Sequence, residues 1–118
     1  MTLRVLLVDD DAGFRRAARE LFHDRGFEVV GEAGDVAAGL AAVARLDPDA
    51  VLLDVSLPDG DGVELARELC DGSGRPRVLL TSSDPEAVTM ELLQTCSARG
   101  FIPKAEIATV DLVGYLGD

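Results

Sequence analysis

Short runs of apolar residues alternate along this chain with longer stretches in which apolar positions recur every three or four residues. Continuous short runs are typical of buried strands, and the three-and-four spacing is typical of amphipathic helices. The pattern predicts five strands, at residues 3–8, 27–30, 50–53, 77–80 and 100–102. It also predicts five helices, at residues 12–25, 35–46, 61–70, from about 83 and 106–116.

Glycine and proline mark several ends of these elements. Gly26 ends the first helix. Pro85 suits the first turn of the fourth helix, for which Ser83 or Asp84 would be the N-cap. A glycine-rich connection at residues 72–76 precedes the fourth strand. These boundaries agree with the division into strands and helices.

The order of the elements indicates one fold class. Strands and helices alternate strictly, and the strands are continuously apolar, which is typical of a parallel sheet covered by helices on both faces. We therefore expect an α/β fold, a doubly wound five-stranded parallel sheet in a three-layer sandwich. The length of 118 residues suits one compact unit, so we expect residues 1–118 to form a single domain.

Composition and charge narrow the functional classes. Apolar residues make up 47% of the chain, as in globular proteins, and no run approaches the roughly 18 apolar residues of a membrane span. The formal net charge of -11 makes attraction to nucleic acid phosphates unfavourable over most of the surface. We expect a cytoplasmic protein that binds neither a membrane nor DNA through this chain.

Four of the five predicted strands end in residues that carry chemistry: Asp9, Asp10, Asp54, Thr81 and Lys104. Because the carboxyl ends of parallel strands lie at one edge of a sheet, these side chains should be neighbours. Carboxylates about 4 Å apart repel by about 4 kcal/mol per pair at an effective dielectric constant of 20. Either one carboxyl is protonated or a cation lies among them, and an all-oxygen set favours Mg²⁺.

The hydroxyl and ammonium groups at this edge indicate the reaction. Thr81 and Lys104 are the donors that a phosphoryl group needs, since its charge spreads over several oxygens. Lys104 is the single lysine beside ten arginines, which suggests a specific demand for a compact point charge. The edge therefore looks suited to forming an aspartyl phosphate.

Four motifs at successive strand ends carry a family resemblance: VLLVDDD, AVLLDVSLPDGDG, VLLTSSD and GFIPK. In this order the chain resembles, over its whole length, a response regulator receiver domain of bacterial two-component signalling. The resemblance implies a flavodoxin-like (βα)5 fold with strand order 2-1-3-4-5.

The resemblance also implies roles at the acidic edge. Asp54 corresponds to the phosphoacceptor and Asp10 to the direct Mg²⁺ ligand. Asp9 would hold the ion through water, and the backbone carbonyl of Ser56 would complete the protein ligands.

Further implied roles concern the read-out of phosphorylation. Thr81 corresponds to the switch hydroxyl and Ser82 to the small neighbour that leaves room for the phosphoryl group. Lys104 is the phosphate partner, and Phe101 is the switch aromatic.

The function implied is that of a Mg²⁺-dependent phosphoacceptor. A histidine kinase or phosphotransfer protein would donate the phosphoryl group, and the domain would slowly hydrolyse its own aspartyl phosphate without acting as an enzyme on other substrates. The modified form would change a surface of helix four, strand five and helix five, where an output domain, a downstream protein or a second copy would bind.

Three other functions could account for part of this sequence. A phosphatase of the haloacid dehalogenase type could use a D-x-D pattern at residues 9–11, but it leaves Asp54 unexplained. A flavodoxin-like cofactor binder would need a phosphate-binding loop where this chain has carboxylates. A receiver-like binding module without phosphorylation would have no need of Asp10, Asp54, Thr81 and Lys104 together.

Overall fold

The computed structural model describes residues 2–70 and 75–117, so most of the connection expected at residues 72–76 lies outside the described residues. Within them, the strands of the main sheet are β1 (Arg4–Val8), β2 (Glu28–Ala33), β3 (Ala50–Asp54), β4 (Arg77–Ser82) and β5 (Gly100–Pro103). The α-helices are α1 (Ala12–Asp24), α2 (Val36–Leu46), α3 (Gly62–Leu69), α4 (Met90–Cys96) and α5 (Leu112–Leu116). Not one of these helices has the length and apolar character of a membrane span.

The main sheet is parallel throughout, and its strand order is β2-β1-β3-β4-β5. Asp54, the last residue of β3, is level with Thr81 of β4. A separate two-stranded ribbon pairs Ser56–Leu57 with Gly60–Asp61 directly after β3. The order confirms the expected doubly wound sandwich and places the ends of β1, β3, β4 and β5 along one edge.

The core lies on both faces of the sheet. Leu6 and Val8 of β1 belong to one buried cluster, which includes residues of α2, α3 and α4. Val5 and Leu7 point to the other face and belong to a second cluster with α1 and α5. Phe22 of α1 is fully buried in that second cluster. Successive residues of one strand thus pack against helices on opposite faces of the sheet, as a doubly wound fold requires.

Aspartates begin the first three helices. Asp11, Asp35 and Asp61 are the N-caps of α1, α2 and α3, and each side chain accepts a main-chain N–H in the first turn. Such caps satisfy donors that have no partner within the helix. The carboxylate of Asp11 therefore serves α1 rather than the neighbouring acids.

The fourth helix begins later than the sequence predicts. It starts at Met90 with Thr89 as N-cap, so the expected start at Ser83 or Asp84 is wrong. The carboxylate of Asp84 instead accepts the N–H of Glu86, and the proline between them lies in the resulting turn. Aspartate side chains compete in this way with helix formation because they offer the backbone another acceptor.

The helix expected at residues 106–116 is wrong in its first half, since α5 begins only at Leu112. The guanidinium of Arg25 donates to the carbonyl oxygens of Ala108 and Val110, at 2.6 and 3.0 Å. These long-range bonds satisfy carbonyl groups that a continuous helix would have used.

Candidate functional site

Three carboxylates meet at the carboxyl edge of the sheet. Asp9 follows β1 and is 2% exposed, whereas Asp54 ends β3 and is 4% exposed. Asp10 is exposed beside them, and one carboxylate oxygen of each residue lies within 4.8 Å of the others. The predicted convergence of these acids is therefore present in the fold.

Asp9 is held at almost every polar atom. Its main-chain N–H donates to the carbonyl of Ala33 at 2.9 Å, and its Oδ1 accepts the N–H of Asp11 at 2.9 Å. Its carbonyl oxygen accepts a hydrogen bond from the Arg15 guanidinium. Oδ2 is buried and lies 2.8 Å from Nζ of Lys104, an ion-pair distance, yet without the angle of a hydrogen bond. Oδ2 thus faces the site with capacity to bind a cation.

Asp54 has weaker contacts. Its Oδ1 accepts the N–H of Ser56 at 3.1 Å, and its Oδ2 lies 3.4 Å from Nζ of Lys104. Burial raises the pKa of Asp54, and the negative charge of Asp9 raises it further. The Ser56 N–H and the Lys104 ammonium lower that pKa, but they only partly compensate. The folded chain therefore disfavours a charged Asp54 unless another cation is near.

Lys104 brings one positive charge to the three acids. It follows β5 in a short 3-10 turn, and its side chain is 17% exposed. Nζ also lies 4.6 Å from the centre of the Phe14 ring, a cation–π distance. Burial alone would lower the pKa of Lys104, but its contacts with Asp9 and Asp54 outweigh burial and raise it. The ammonium is thus a charged group shared between β1 and β3.

The loop after Asp54 approaches the strand end very closely. A Cβ atom on Gly62 would lie 2.1 Å from the carbonyl oxygen of Asp54, so only glycine fits there. The carboxylate of Asp59 accepts the N–H groups of Val36 and Ala37, at 2.7 and 3.1 Å, at the start of α2. These contacts fix the loop relative to β3 and α2.

Thr81 is fully buried beside Asp54, but its hydroxyl faces the next strand. Its Oγ1 donates to the carbonyl of Ile102 at 2.7 Å. Ser82 is also buried, and its hydroxyl accepts the N–H of Asp84 at 3.0 Å. The hydroxyl expected at the acidic site is thus engaged with β5 in this structure.

The remaining predicted residues lie around this edge. Ser56 is exposed in the ribbon after β3. Phe101 is half-buried in β5, packs against the core cluster that includes α4, and lines a cleft with Met90 and Tyr115. Its position is compatible with a packing role between β5 and α4.

Two residues at the site were missed by reasoning from the sequence. Arg15 bonds to the main chain of Asp9, and Asp59 joins the loop after β3 to α2. Their contacts depend on side-chain reach between elements, for which the sequence offers no periodic signal. The one available signal was the position of Arg15 in the first turn of α1, four residues after Asp11.

The donor set fits a divalent cation. Each ligand candidate among the three acids is a hard oxygen, which suits Mg²⁺. The buried Oδ2 of Asp9 has the Lys104 ammonium at 2.8 Å but accepts no hydrogen bond from the described residues, so it keeps lone pairs with which a cation could interact. One ammonium against three carboxylates leaves a negative site.

Comparison with known proteins decides the family. The family described as the response regulator receiver domain matches residues 5–114. The chain belongs to the response regulator receiver family. Receiver domains generally bind Mg²⁺ at an acidic pocket, and the aspartate cluster at this edge has that character.

Individual relatives agree with this assignment. The receiver domain is 39% identical over 103 residues to the DNA-binding transcriptional activator DevR/DosR of Mycobacterium tuberculosis. That match covers 86% of this chain and 48% of the relative, so the chain spans about half the length of that protein.

Solved structures share the fold. A LuxR-family two-component response regulator from an Aurantimonas species has a TM-score of 0.84 at 29% identity, covering 97% of this chain and 81% of that chain. The response regulator domain of Thermotoga maritima CheB has a TM-score of 0.76 at 27% identity, covering 96% and 85%. The receiver domain thus matches response regulators in both sequence and fold.

Proposed function

We propose that residues 1–118 form one cytoplasmic receiver domain that accepts a phosphoryl group on Asp54 from a histidine kinase or a phosphotransfer protein. The observation that carries the proposal is the position of Asp54. Its carboxylate ends a buried strand, within 4.8 Å of two further acids, and beside the single lysine of the chain.

In the proposed reaction a carboxylate oxygen of Asp54 forms a bond to phosphorus. The bond between phosphorus and the phosphohistidine nitrogen breaks, and the imidazole nitrogen leaves with the electron pair. Each carboxylate oxygen of Asp54 has one polar contact with the described residues, Oδ1 with the Ser56 N–H at 3.1 Å and Oδ2 with the Lys104 ammonium at 3.4 Å, so each keeps a lone pair available. Hydrolysis of the aspartyl phosphate by water would return the receiver to its resting form without turnover of any other substrate.

Mg²⁺, when bound, would neutralise charge on the phosphoryl oxygens. The residues to hold it are Asp10, Asp54 and the backbone carbonyl of Ser56, with Asp9 binding through water. Lys104 would donate to a phosphoryl oxygen, as its place 3.4 Å from Asp54 allows.

Thr81 and Phe101 are proposed to report the modification. To donate to a phosphoryl oxygen, the Thr81 hydroxyl must leave the carbonyl of Ile102, which belongs to β5. Phe101 is the neighbouring residue of β5 and packs towards α4. A rearrangement there would alter the surface of α4, β5 and α5, to which an output domain, a downstream protein or a second copy would bind.

Incubation with acetyl phosphate and Mg²⁺, followed by intact mass measurement, tests the proposal. We expect one added phosphoryl group in the wild-type chain and none in Asp54→Asn. Phosphorylation that persists in this variant would move the acceptor to another residue. An absence of adduct in the wild type with both phosphohistidine and acetyl phosphate donors would instead favour a binding module that does not use phosphorylation.

The phosphatase alternative makes a different prediction. Its D-x-D pattern would require Asp11 at the site, but this carboxylate accepts the N–H groups of Gly13 and Phe14 as the N-cap of α1. We therefore expect no multiple turnover of p-nitrophenyl phosphate under conditions that label Asp54.

A further inference from the structure

Arg15 connects the acidic turn to two other elements of the fold. Its side chain extends from α1 and is 22% exposed. Nε donates to Oε1 of Glu32 on β2 at 2.9 Å, and a terminal nitrogen donates to the carbonyl oxygen of Asp9. The other carboxylate oxygen of Glu32 accepts from Nε of Arg19 at 2.8 Å. Arg15 is thus fixed at its far end by an anchored carboxylate.

The carbonyl that Arg15 holds belongs to the peptide group between Asp9 and Asp10. Rotation of this peptide group would change the direction in which the Asp10 side chain leaves the backbone. Within residues 2–70 and 75–117, no protein group donates a hydrogen bond to the Asp10 carboxylate. The position of the Asp10 carboxylate therefore depends on the main chain and not on a hydrogen bond of its own, whereas Asp9 has further bonds to Ala33 and Asp11.

Only an arginine can make both contacts of Arg15 together. A guanidinium offers donors in a planar fork, whereas a lysine offers a single nitrogen. A lysine at position 15 would keep the positive charge but could not bind Glu32 and the Asp9 carbonyl in the same geometry. A lysine at this position therefore distinguishes a role of Arg15 in positioning the main chain from a role of its positive charge alone.

We propose that Arg15 is a positioning residue which, braced by Glu32, holds the peptide group between Asp9 and Asp10 so that their carboxylates face a divalent cation. The inference rests on the proposed function, because it presumes that the cation binds at this edge. In this proposal Arg15 of α1 and Glu32 of β2 contribute to metal affinity although neither contacts the metal.

The test compares Arg15→Lys with Arg16→Lys. Arg16 is the next residue of α1 and is exposed, and its side chain makes no hydrogen bond or ion pair with the rest of the described chain. Both substitutions keep the charge and the helix. We expect Arg15→Lys to weaken Mg²⁺ binding about 10-fold in isothermal titration calorimetry, which is typical of residues that orient metal ligands without contacting the metal, and Arg16→Lys to leave it unchanged.

A second readout excludes a general loss of structure. The increase in Tm that Mg²⁺ produces should shrink in Arg15→Lys and stay at the wild-type value in Arg16→Lys. Glu32→Asp keeps the negative charge that anchors Arg15 but shortens the side chain. We therefore expect it to lose less Mg²⁺ affinity than Arg15→Lys. Combined with Arg15→Lys it should add little, because both changes remove the same constraint.

Equal Mg²⁺ affinity in Arg15→Lys and the wild type would overturn the inference and leave the proposed function intact. Fully additive effects of Arg15→Lys and Glu32→Asp would also overturn it. If Arg15→Lys does not fold, Glu32→Asp provides the test. A Mg²⁺ affinity of Glu32→Asp equal to that of the wild type would then overturn the inference. A wild-type chain that does not bind Mg²⁺ would overturn both the metal part of the proposed function and this inference.

Discussion

The two sides of the acidic site are built differently. On one side, β1 leads through the turn at residues 9–11 into α1, a helix of 13 residues with Ala18 and Phe22 fully buried. On the other side, β4 leads into residues 83–95, none of which is buried. There α4 has only seven residues, and the side chain of Met90 is 71% exposed.

The difference follows from what each side is proposed to do. The side of β1 and α1 presents acids whose positions must be fixed, and Asp9 has hydrogen bonds at three of its polar atoms. The side of β4 and α4 carries the proposed switch residue Thr81, and the proposed switch residue Phe101 of the adjacent β5 packs towards α4. Residues 83–95 on that side have few buried contacts, so this segment can change its arrangement at a low cost in free energy.

The largest expected effect comes from removing one apolar side chain on each side. Phe22→Ala removes a fully buried ring beneath α1 and should reduce the free energy of unfolding by about 3–5 kcal/mol. Leu92→Ala on α4 removes a side chain that is 37% exposed and should reduce it by less than about 1 kcal/mol. Urea unfolding followed by circular dichroism gives both values.

Amide hydrogen exchange of the wild-type chain is the control for these two substitutions, because it compares the stability of α1 and α4 without altering either helix. Amides of α4 should exchange faster than those of α1, since fewer buried contacts must break to expose them. Equal losses in Phe22→Ala and Leu92→Ala, with equal amide protection, would show that the two sides do not differ in stability.

Lys104 joins the two sides, because it follows β5, which pairs with β4, and contacts Asp9 after β1 and Asp54 at the end of β3. Lys104→Met should destabilise the Mg²⁺-free chain by about 3 kcal/mol at pH 7, since it leaves buried carboxylates without their cation. The pKa of Lys104 is raised in the fold, so its contribution is complete below its ordinary value of 10.5 and is lost as pH rises through the folded value. Thermal unfolding between pH 7 and pH 12 measures this.

Arg16→Met is the matched control for Lys104→Met. It also removes one positive charge, but from an exposed side chain on α1. We expect it to change the free energy of unfolding by less than about 0.5 kcal/mol. Mg²⁺ should recover part of the loss in Lys104→Met, and an equal effect of the two substitutions would show that the ammonium does not join the two sides.

Most of the fold and the gathering of the acids could be predicted from the sequence. Five apolar runs alternate with amphipathic stretches, and parallel strands bring their carboxyl ends to one edge whatever the details of the helices. For this reason Asp9, Asp54 and Lys104 could be expected together although 45 and more residues separate them in the chain. Local pattern and topology were sufficient for that step.

The contacts that set the precise geometry could not be predicted. Arg25 reaches the carbonyl of Val110 across 85 positions of the chain, and Asp59 reaches Val36 across 23. Such bonds depend on the three-dimensional position of the end of one side chain, and the periodicity of the sequence does not indicate that position. The same reason explains the shortened last helix and the Thr81 hydroxyl bond to Ile102.

A smaller effect with the opposite sign is expected on the side of the acids. Asp54→Asn should stabilise the Mg²⁺-free chain at pH 7 by about 0.5–2 kcal/mol, the usual size of a stabilising substitution, because it removes a charge that the fold disfavours. Since burial raises the pKa of Asp54, the folded chain binds more protons than the unfolded chain between the ordinary value of 3.8 and the folded value. The contribution of Asp54 to stability therefore falls as pH rises through this window.

The measurement is the difference in Tm between Asp54→Asn and the wild type, with chelator, from pH 4 to pH 8. The difference should be largest at pH 8 and shrink towards pH 4, where the wild-type carboxyl becomes protonated. With Mg²⁺ in excess the order should reverse, because the cation binds the charged form. A variant less stable than the wild type at every pH without Mg²⁺ would contradict the predicted balance of charges.

The smallest expected effect concerns the bond that Thr81 makes with β5. Thr81→Val keeps the shape of the side chain and removes the hydroxyl that donates to Ile102, so it should destabilise the resting chain by roughly 1 kcal/mol. Thr109→Val is the matched control, since its hydroxyl donates to the carbonyl of Glu106 at 3.0 Å in an exposed turn. Water can replace that exposed bond, so urea unfolding should detect little change in the control. A Thr81→Val chain as stable as the control would mean that its hydroxyl is held too weakly to define the resting arrangement of β4 and β5.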